Sequence, residues 1–467
     1  MFFQMMDLEL AQDIVKKALG STGVYSDVVF QRRTTTTIRF EDGKVDDISF
    51  GLDSGAGVRV IRGDLAAYAH TDITDRENLT RAAIAASEAL KHASGETTLN
   101  VQVSKREGTL QPVCSAGEET AEVRRLVDYL ASCDESARSL GKEVRQVTAI
   151  HTGQTEEELL VNSLGEVRQG TCRRTRLVVQ VVAGSNGVIQ VGQEAPGSLT
   201  GPDFYRRTDP AEVAAKAARR ALNMLNARPA PTGRMPVVIN AGTGGVLLHE
   251  ACGHGLEVDH VHKGASAYAE KIGKKVADTV VSASDNPSIP ELWGSYDFDD
   301  EGTPSGETLL IEKGVLQSYL YGRHEAMKDN RESTGNGRRQ SFRFTPVPRM
   351  SNTYIKPGSV IAADIIATTE RGLYAQKMGG GQVDPATGDY VFSVSEGYLI
   401  ENGKLGPAAR GAVLIGNGPR TLEIIDVVGD DLSFDEGTCG KDGQGVPVTT
   451  GCPTFRIREL TVGGTEQ

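Results

Sequence analysis

A pair of histidines in the segment HEACGH offers the clearest metal-binding chemistry in this sequence. His249 and His254 are five positions apart, and Glu250 directly follows the first histidine. The usual zinc-binding helix motif places its histidines four positions apart, which puts both imidazoles on one helix face. A spacing of five in a regular α-helix separates the side chains by roughly 140°. A single π-type turn reduces the separation to roughly 50°, so we predict that the helix leaves regular α-geometry between His249 and Gly255, with a π-type turn as the solution.

A catalytic zinc ion commonly has three protein ligands and one open position, so this motif needs a further ligand. The carboxylate of Glu257 is local, and His260 and His262 share one face of a predicted strand. Cys252 is also local, but it is poorly placed to point at one ion with both histidines, and packing is its expected role. Cys439 lies far along the chain in GTCGKDGQGVPV, where four glycines allow the backbone to approach a site closely. The spacing of the residues leaves these alternatives open.

The elements around the motif can be predicted from local patterns. A buried strand (MPVVINA) and a tight turn (GTGG) precede a helix predicted over residues 244–254. Towards the N-terminus, we predict a helix between Asp7 and Gly20, a hairpin at EDGK (41–44), and a helix that a capping box of Thr74 and Glu77 opens. The remaining predictions for this half are a helix near 118–140 with Cys133 in the core, strands over 143–200, and a helix from DPAE at 209–212 to about residue 226.

Three prolines and a glycine in ARPAPTGRMP predict a linker at 227–236. We therefore predict an α+β protein with an N-terminal α/β domain at residues 1–226, which combines a β-meander with helices. A C-terminal β-rich domain follows at 237–467. Short strands and glycine-rich turns dominate it, and one clear helix carries the metal-binding motif.

Composition excludes several classes of function. The chain has 467 residues, of which 39% are hydrophobic and 24% charged, and a formal net charge of −12 that argues against capture of nucleic acid or an anionic membrane. It has no apolar run of membrane-spanning length and no secretory signal, so we expect a cytoplasmic location. Six dispersed cysteines without a CxxC pair do not favour a disulfide framework, and no Walker A sequence indicates ATP hydrolysis.

Several longer segments resemble the signature blocks of the TldD/PmbA family. In the second half they are HEACGHGLEVD, DDEGTPSGETLLIEKGVLQSYL, STGNGRRQSF, VPRMSNTY, MGGGQVDPATGDYVFSVSEGYLIENGKL and CGKDGQGVPV, in this order. In the first half, GVRVIRGDLAAYAHT is similar to a further block. The family pairs a TldD-type metallopeptidase chain with a PmbA/TldE-type chain that lacks the metal ligands, and the TldD-type set is complete here.

The resemblance implies a zinc-dependent peptidase that hydrolyses unfolded or leader-like peptides. In it, His249, His254 and Cys439 are the zinc ligands, and Glu250 is the general base towards a metal-bound water. The resemblance also implies a dimer, either a homodimer or a heterodimer with a metal-free PmbA/TldE-like chain. Two alternatives are a non-catalytic partner or regulatory subunit of such a complex, and a cysteine-dependent hydrolase that uses Cys439 or Cys252.

Substrate contacts are predicted at Gly379, Gly380 and Gly381, where a peptide backbone could approach and pair as an added strand. A tight turn is the alternative explanation for these glycines. No residue is assigned to stabilise the oxyanion. The polar candidates near family blocks, each expected to be structural more often than catalytic, are Tyr319, His324, Arg338 and Arg339.

Overall fold

The computed structural model describes residues 7–92, 98–104, 116–384 and 386–464, so Cys114 lies outside the described residues. The helices of the first half are α1 (Leu8–Leu19), α2 (Arg76–His92), α3 (Ala116–Ser139), α4 (Phe204–Arg207) and α5 (Pro210–Leu225). Those of the second half are α6 (Gly245–Ala251), α7 (Val258–His262), α8 (Arg323–Lys328), α9 (Ala362–Ala367) and α10 (Gly418–Glu423). The second half thus contains several short helices, where one was predicted. None of the described helices combines the length and the apolar character that are needed to cross a bilayer.

The first half is built on one sheet with the order β4-β3-β2-β1-β5-β6-β7, in which β8 pairs with β6. Its strands are β1 (Tyr25–Glu41), β2 (Lys44–Arg62), β3 (Leu65–Thr71), β4 (Thr98–Ser104), β5 (Val144–Asn162), β6 (Val167–Ser185), β7 (Val188–Glu194) and β8 (Gly197–Ser198). Two apolar clusters cover one face, because alternate residues of a strand point to the same side. Val28 and Phe30 of β1 pack with α1 and α2, whereas Ile38 and Phe40 pack with α3 and α5.

The second half contains a closed ring of strands and a separate six-stranded sheet. Its strands are β9 (Arg228–Pro229), β10 (Gly233–Ile239), β11 (Ala283–Asp285), β12 (Thr308–Glu312), β13 (Val315–Leu316), β14 (Gly337–Arg338), β15 (Val347–Pro348), β16 (Asn352–Ile355), β17 (Arg371–Val383), β18 (Asp389–Glu401), β19 (Lys404–Arg410), β20 (Val413–Asn417), β21 (Ile425–Val428), β22 (Ser433–Lys441), β23 (Gln444–Cys452) and β24 (Phe455–Gly463). The ring runs β17-β10-β24-β20-β18 and closes because β18 also pairs with β17. The other sheet has the order β13-β12-β11-β16-β23-β22. The predicted α+β class with a β-rich second half is confirmed.

Helix α2 begins one residue later than its predicted capping box requires. The backbone N–H of Asn78 donates to the Asp75 carboxylate at 2.8 Å, so Asp75 caps the helix and the prediction of Thr74 as the cap is wrong. Asp75 directly precedes the first helical residue, where a side-chain oxygen reaches the free N–H groups of the first turn. The cap predicted for α5 is confirmed, since Asp209 accepts a hydrogen bond from the N–H of Ala211.

The two halves meet on the face of the first sheet that its helices leave open. Gln31 Oε1 accepts a hydrogen bond from the N–H of Phe342 at 2.9 Å, and Arg33 donates to the carbonyl of Gln340 at 2.6 Å. Between the halves, β9 and β10 occupy part of the segment predicted as a linker. The division into domains at 1–226 and 237–467 stays a prediction.

Candidate metal centre

The chain leaves regular α-geometry between His249 and Gly255, as predicted, but the turn there is tighter than an α-helix, so the π-type turn and the unbroken helix predicted over 244–254 are wrong. Helix α6 ends at Ala251, and Cys252 takes non-helical angles (φ −129°, ψ −51°). The chain then continues as a 3₁₀ turn over Gly253–Leu256. The break at Cys252 redirects the second histidine, and the imidazole centroids of His249 and His254 lie 5.1 Å apart with an interplanar angle of 82°. Both rings therefore reach one small volume.

Hairpin β22–β23 brings a thiol to these two imidazoles. The ligand atoms of His249, His254 and Cys439 all lie within 4.8 Å of one another, and all three residues are buried. The distance from Cys439 Sγ to His254 Nε2 is 3.5 Å. A tetrahedral site with a metal–nitrogen distance of about 2.0 Å and a metal–sulfur distance of about 2.3 Å separates the two atoms by about 3.5 Å. The donor set fits a metal ion.

The charges at the three side chains also suit a cation. Burial alone would raise the pKa of Cys439, but the neighbouring imidazoles of His249 and His254 lower it to about 4. Burial alone would lower the pKa of His254, but the carboxylate of Glu257 and the sulfur of Cys439 raise it to about 11. At neutral pH the sulfur is thus a thiolate beside a protonated ring, and a metal ion can take the place of that proton.

Glu257 holds the ring of His254 by the nitrogen that does not face Cys439. Its Oε2 accepts a hydrogen bond from Nδ1 of His254 at 2.9 Å, which leaves Nε2 directed towards Cys439. The carboxylate is fully buried and lies 3.0 Å from Lys441 Nζ. Burial would raise the pKa of Glu257, but the charges of Lys441 and His254 hold it well below its usual range. A carboxylate that fixes the tautomer of a ligating histidine is a common feature of metal sites.

The other local candidates have different surroundings. Cys252 is buried in the main core of the second half and does not belong to the group of potential ligand atoms formed by His249, His254 and Cys439, so its surroundings support a packing role. His260 and His262 lie on helix α7, so the strand predicted for them is wrong. His262 Nε2 contacts the Asp329 carboxylate at 3.0 Å. His260 belongs to a second group of potential ligands with Glu257 and Asp259, whose carboxylates are bound by the ammonium group of Lys441.

A cavity of about 890 Å³ lies beside the centre, between the two halves of the chain. His249 and Glu250 line it from the second half, and residues of β7 and α5 line it from the first. The Glu250 side chain is 30% exposed, whereas His254 and Cys439 are buried. Glu250 Oε2 lies 3.8 Å from His254 Nε2. The carboxylate can therefore contact both solvent in the cavity and the metal-binding atoms.

The three predicted substrate-binding glycines lie in strand β17, so the alternative of a tight turn is wrong. Gly379 and Gly380 line the cavity. Gly381 is not among its lining residues, and a Cβ atom there would lie 2.0 Å from Phe392 Cδ1. Close packing requires the glycine at that position.

The polar candidates for oxyanion stabilisation are used elsewhere. Tyr319 donates to the carbonyl of Tyr268 at 2.7 Å, and His324 Nε2 lies 3.1 Å from the carbonyl of Gly63. The two arginines hold the structure together: Arg338 donates to the carbonyl of Met350 at 2.6 Å, and Arg339 Nη2 donates to the Glu158 carboxylate at 3.3 Å. None of the four lines the cavity at the metal centre.

Comparisons with known proteins find similarity to metallopeptidases along most of the chain. Three family models described as PmbA/TldA metallopeptidase domains match the chain: domain 1 at residues 26–90, the central domain at 117–225 and the C-terminal domain at 232–464. The chain is 37% identical to the metalloprotease TldD homologs of Buchnera aphidicola and Haemophilus influenzae, over 94% of its length and 93% of theirs. Its fold is similar to that of TldE from Thermococcus kodakarensis, with a TM-score of 0.75 at 18% identity over 97% of this chain and all of that one.

Proposed function

This chain belongs to the TldD/PmbA family of metallopeptidases, and on that premise we propose that it is a zinc-dependent peptidase acting on unfolded or leader-like peptides. The observation that best supports the proposal is that potential ligand atoms of His249, His254 and Cys439 lie within 4.8 Å of one another. Glu250 lies beside them and lines a cavity. Zinc is commonly bound by imidazole nitrogen and thiolate sulfur, which are the donors present here. Calcium and magnesium are bound by oxygen ligands instead.

Each residue of the centre has a separate task in this proposal. His249, His254 and Cys439 would hold the ion, and Glu257 would keep His254 in the tautomer that leaves Nε2 free. Zinc, when bound, polarises a peptide carbonyl and brings the pKa of a coordinated water to about 7. The carboxylate of Glu250 faces the cavity, so it can accept a proton from the attacking water and pass it to the leaving amine.

Strand β17 offers an edge for an extended substrate. Its register with β10 covers only Leu373, Tyr374 and Ala375, so among the described strands none pairs with Gly379 and Gly380 on that side. An extended peptide could form main-chain hydrogen bonds there, a mode of binding that tolerates many side chains. Peptides that are already unfolded present such a backbone without an unfolding step.

A side chain at position 380 should obstruct this edge without disturbing the fold. A Cβ atom on Gly380 would meet no other atom within 4 Å, so Gly380→Val should fold normally and add bulk beside the cavity that Gly380 lines. We expect the KM for an unfolded peptide to rise about tenfold, which corresponds to about 1.4 kcal/mol of binding, with zinc content unchanged. Gly381→Val is the contrasting variant, since it should lower the melting temperature by clashing with Phe392. An unaltered KM for Gly380→Val would argue against substrate binding at this edge.

Removal of the metal should abolish peptidase activity, and one equivalent of zinc per chain should restore it. A second equivalent is not expected, because Lys441 already neutralises the other group of potential ligands, which includes Glu257 and Asp259. Metal analysis before and after chelation, together with cleavage of an unfolded peptide pool, measures both quantities.

The proximity of Cys439 Sγ to His254 Nε2 also resembles the nucleophile and base of a cysteine hydrolase. If the chain were a cysteine hydrolase, its peptidase activity would persist in the presence of a metal chelator.

We further propose that the chain works in a dimer, with an identical chain or with a metal-free PmbA/TldE-like chain. The likeness of its fold to TldE supports this proposal, because two chains of one fold can form equivalent contacts. The native mass of the purified chain, alone and mixed with such a partner, distinguishes the two assemblies.

A further inference from the structure

Lys441 is a buried cation whose hydrogen-bonding capacity is fully used. It lies on β22, two residues after Cys439, and its side chain is 5% exposed. Its Nζ donates to the carboxylates of Glu257 at 3.0 Å and Asp259 at 2.7 Å, and to the carbonyl of Pro348 at 3.0 Å. An ammonium group has three donors, so none remains for a substrate or a bound ion. Any role in function must act through the residues that Lys441 holds.

These contacts join the two parts of the chain that supply the metal ligands. Cys439 and Lys441 lie on the same face of β22, because they are two residues apart in a strand. From Lys441 the contacts continue to Glu257, which accepts the hydrogen bond from Nδ1 of His254 at 2.9 Å. One cation therefore connects the strand that carries the thiolate ligand to the turn that carries an imidazole ligand.

We infer that Lys441 is a positioning residue that holds the ligands in their metal-binding arrangement through Glu257. The inference rests on the proposed metal site. A ligand set that is already in place loses less conformational freedom when the ion binds. The partners that orient metal ligands typically contribute 10- to 100-fold in affinity, and Lys441 supports such a partner.

The arrangement of the second acidic group supports this role. Potential ligand atoms of Glu257, Asp259 and His260 lie within 4.8 Å of one another, as they would around a metal ion. The ammonium of Lys441 provides the positive charge there. Without it, two buried carboxylates would lie beside each other and would repel. Each would also lose its positive partner Lys441, and a buried charge that loses its partner is strongly unfavourable. Glu257 would then move away from the position in which it fixes the imidazole.

Lys441→Met tests the inference, since methionine occupies a similar position without the charge. We expect the zinc affinity, measured by competition with a chelating dye, to fall about 10- to 100-fold in protein that is still folded by circular dichroism. The cobalt-substituted variant should also show a weakened thiolate-to-metal absorption band, which a simple loss of stability would not change. Arg456→Met is the matched control: it removes an ion pair with Asp426 in the other sheet, and it should leave zinc affinity unchanged.

A double variant shows whether Lys441 acts through Glu257. If it does, Lys441→Met combined with Glu257→Gln should lose little more affinity than the stronger single variant, because residues in one network are not additive. Additive losses would overturn the proposed route. If Lys441→Met fails to fold, Asp259→Asn removes the negative charge of one partner of Lys441 and should weaken zinc binding less than tenfold but measurably. Wild-type zinc affinity in Lys441→Met would refute the role of Lys441 and leave the proposed function standing. If Lys441→Met does not fold, wild-type affinity in Asp259→Asn has the same meaning. A wild-type chain that does not bind zinc would instead refute the proposed function.

Discussion

A Glu250→Gln protein should retain a full equivalent of zinc and lose nearly all peptidase activity. The glutamine keeps the size of the side chain but cannot accept a proton, and proton transfer by such a group contributes roughly 10²–10⁴-fold to the rate. The zinc ligands are unchanged, because Glu250 faces the cavity and the three proposed ligands are other residues. Zinc content and kcat with an unfolded peptide, measured on the same preparation, check both expectations.

Glu257→Gln is the natural counterpart to this variant, because the two glutamates flank His254 with different tasks. Glu257 is fully buried and holds the ring of His254, so its replacement should weaken zinc binding before it affects the chemical step. Substantial loss of zinc from a folded Glu250→Gln protein would show that Glu250 is a ligand. Nearly normal turnover in Glu250→Gln would show that the general base is another residue.

Cys439→Ala should lower zinc affinity by more than about 100-fold, since even the orienting partners of ligands contribute about 10- to 100-fold. The variant should retain its fold, because Cys439 lies at the edge strand β22 in a small cluster with Val446 and Val448. Competition with a chelating dye measures the affinity, and circular dichroism checks the fold. Activity should fall with zinc occupancy and recover partly at high zinc concentration.

Cys252→Ala is the matched control for that variant, because Cys252 lies inside the histidine motif and is the competing sulfur. It is buried in the main core of the second half, so its truncation should cost about 1 kcal/mol of stability and leave zinc bound. The opposite result, loss of zinc with Cys252→Ala and retention with Cys439→Ala, would favour a wholly local site.

Local sequence predicted the parts of the fold that neighbouring residues decide. The hairpin at EDGK forms because Asp42 and Gly43 both take positive φ values, 48° and 80°, which these residue types tolerate in a two-residue turn. The helix over Pro210–Leu225 begins at its predicted cap for a similarly local reason. The segment with His260 and His262 shows the limit of such patterns, because five residues fit a strand and a short helix equally well.

The shape of the motif turn depends on distant residues. The five-residue spacing of the histidines showed that a regular helix could not direct both rings at one ion, but it did not distinguish a wider turn from a tighter one. A Cβ atom on Gly253 would lie 2.0 Å from Met350 Sδ, so packing against a segment far along the chain sets the path of this turn. No local pattern contains that contact.

The assignment of Cys439 came from family resemblance, and the connection through Lys441 was missed. Cys439 follows His254 by 185 residues, so only the pairing of β22 with β23 brings the thiol to the imidazoles. The sequence shows that Lys441 is two residues from Cys439, but the strand that places both side chains on one face is a finding of the structure. Arg339 has the structural role that was expected more often than a catalytic one, but its partner, Glu158 on the first sheet, is a long-range contact that no local pattern contains.

X-ray absorption at the zinc edge, on the zinc-loaded wild-type chain, tests the proposed centre most directly because it identifies ligand atoms by element and distance. We expect one sulfur at about 2.3 Å and two imidazole nitrogens at about 2.0–2.1 Å. The sulfur contribution should disappear in Cys439→Ala loaded at high zinc and persist in Cys252→Ala. A wild-type spectrum without sulfur, or a sulfur contribution that remains in Cys439→Ala, would contradict a centre formed by His249, His254 and Cys439.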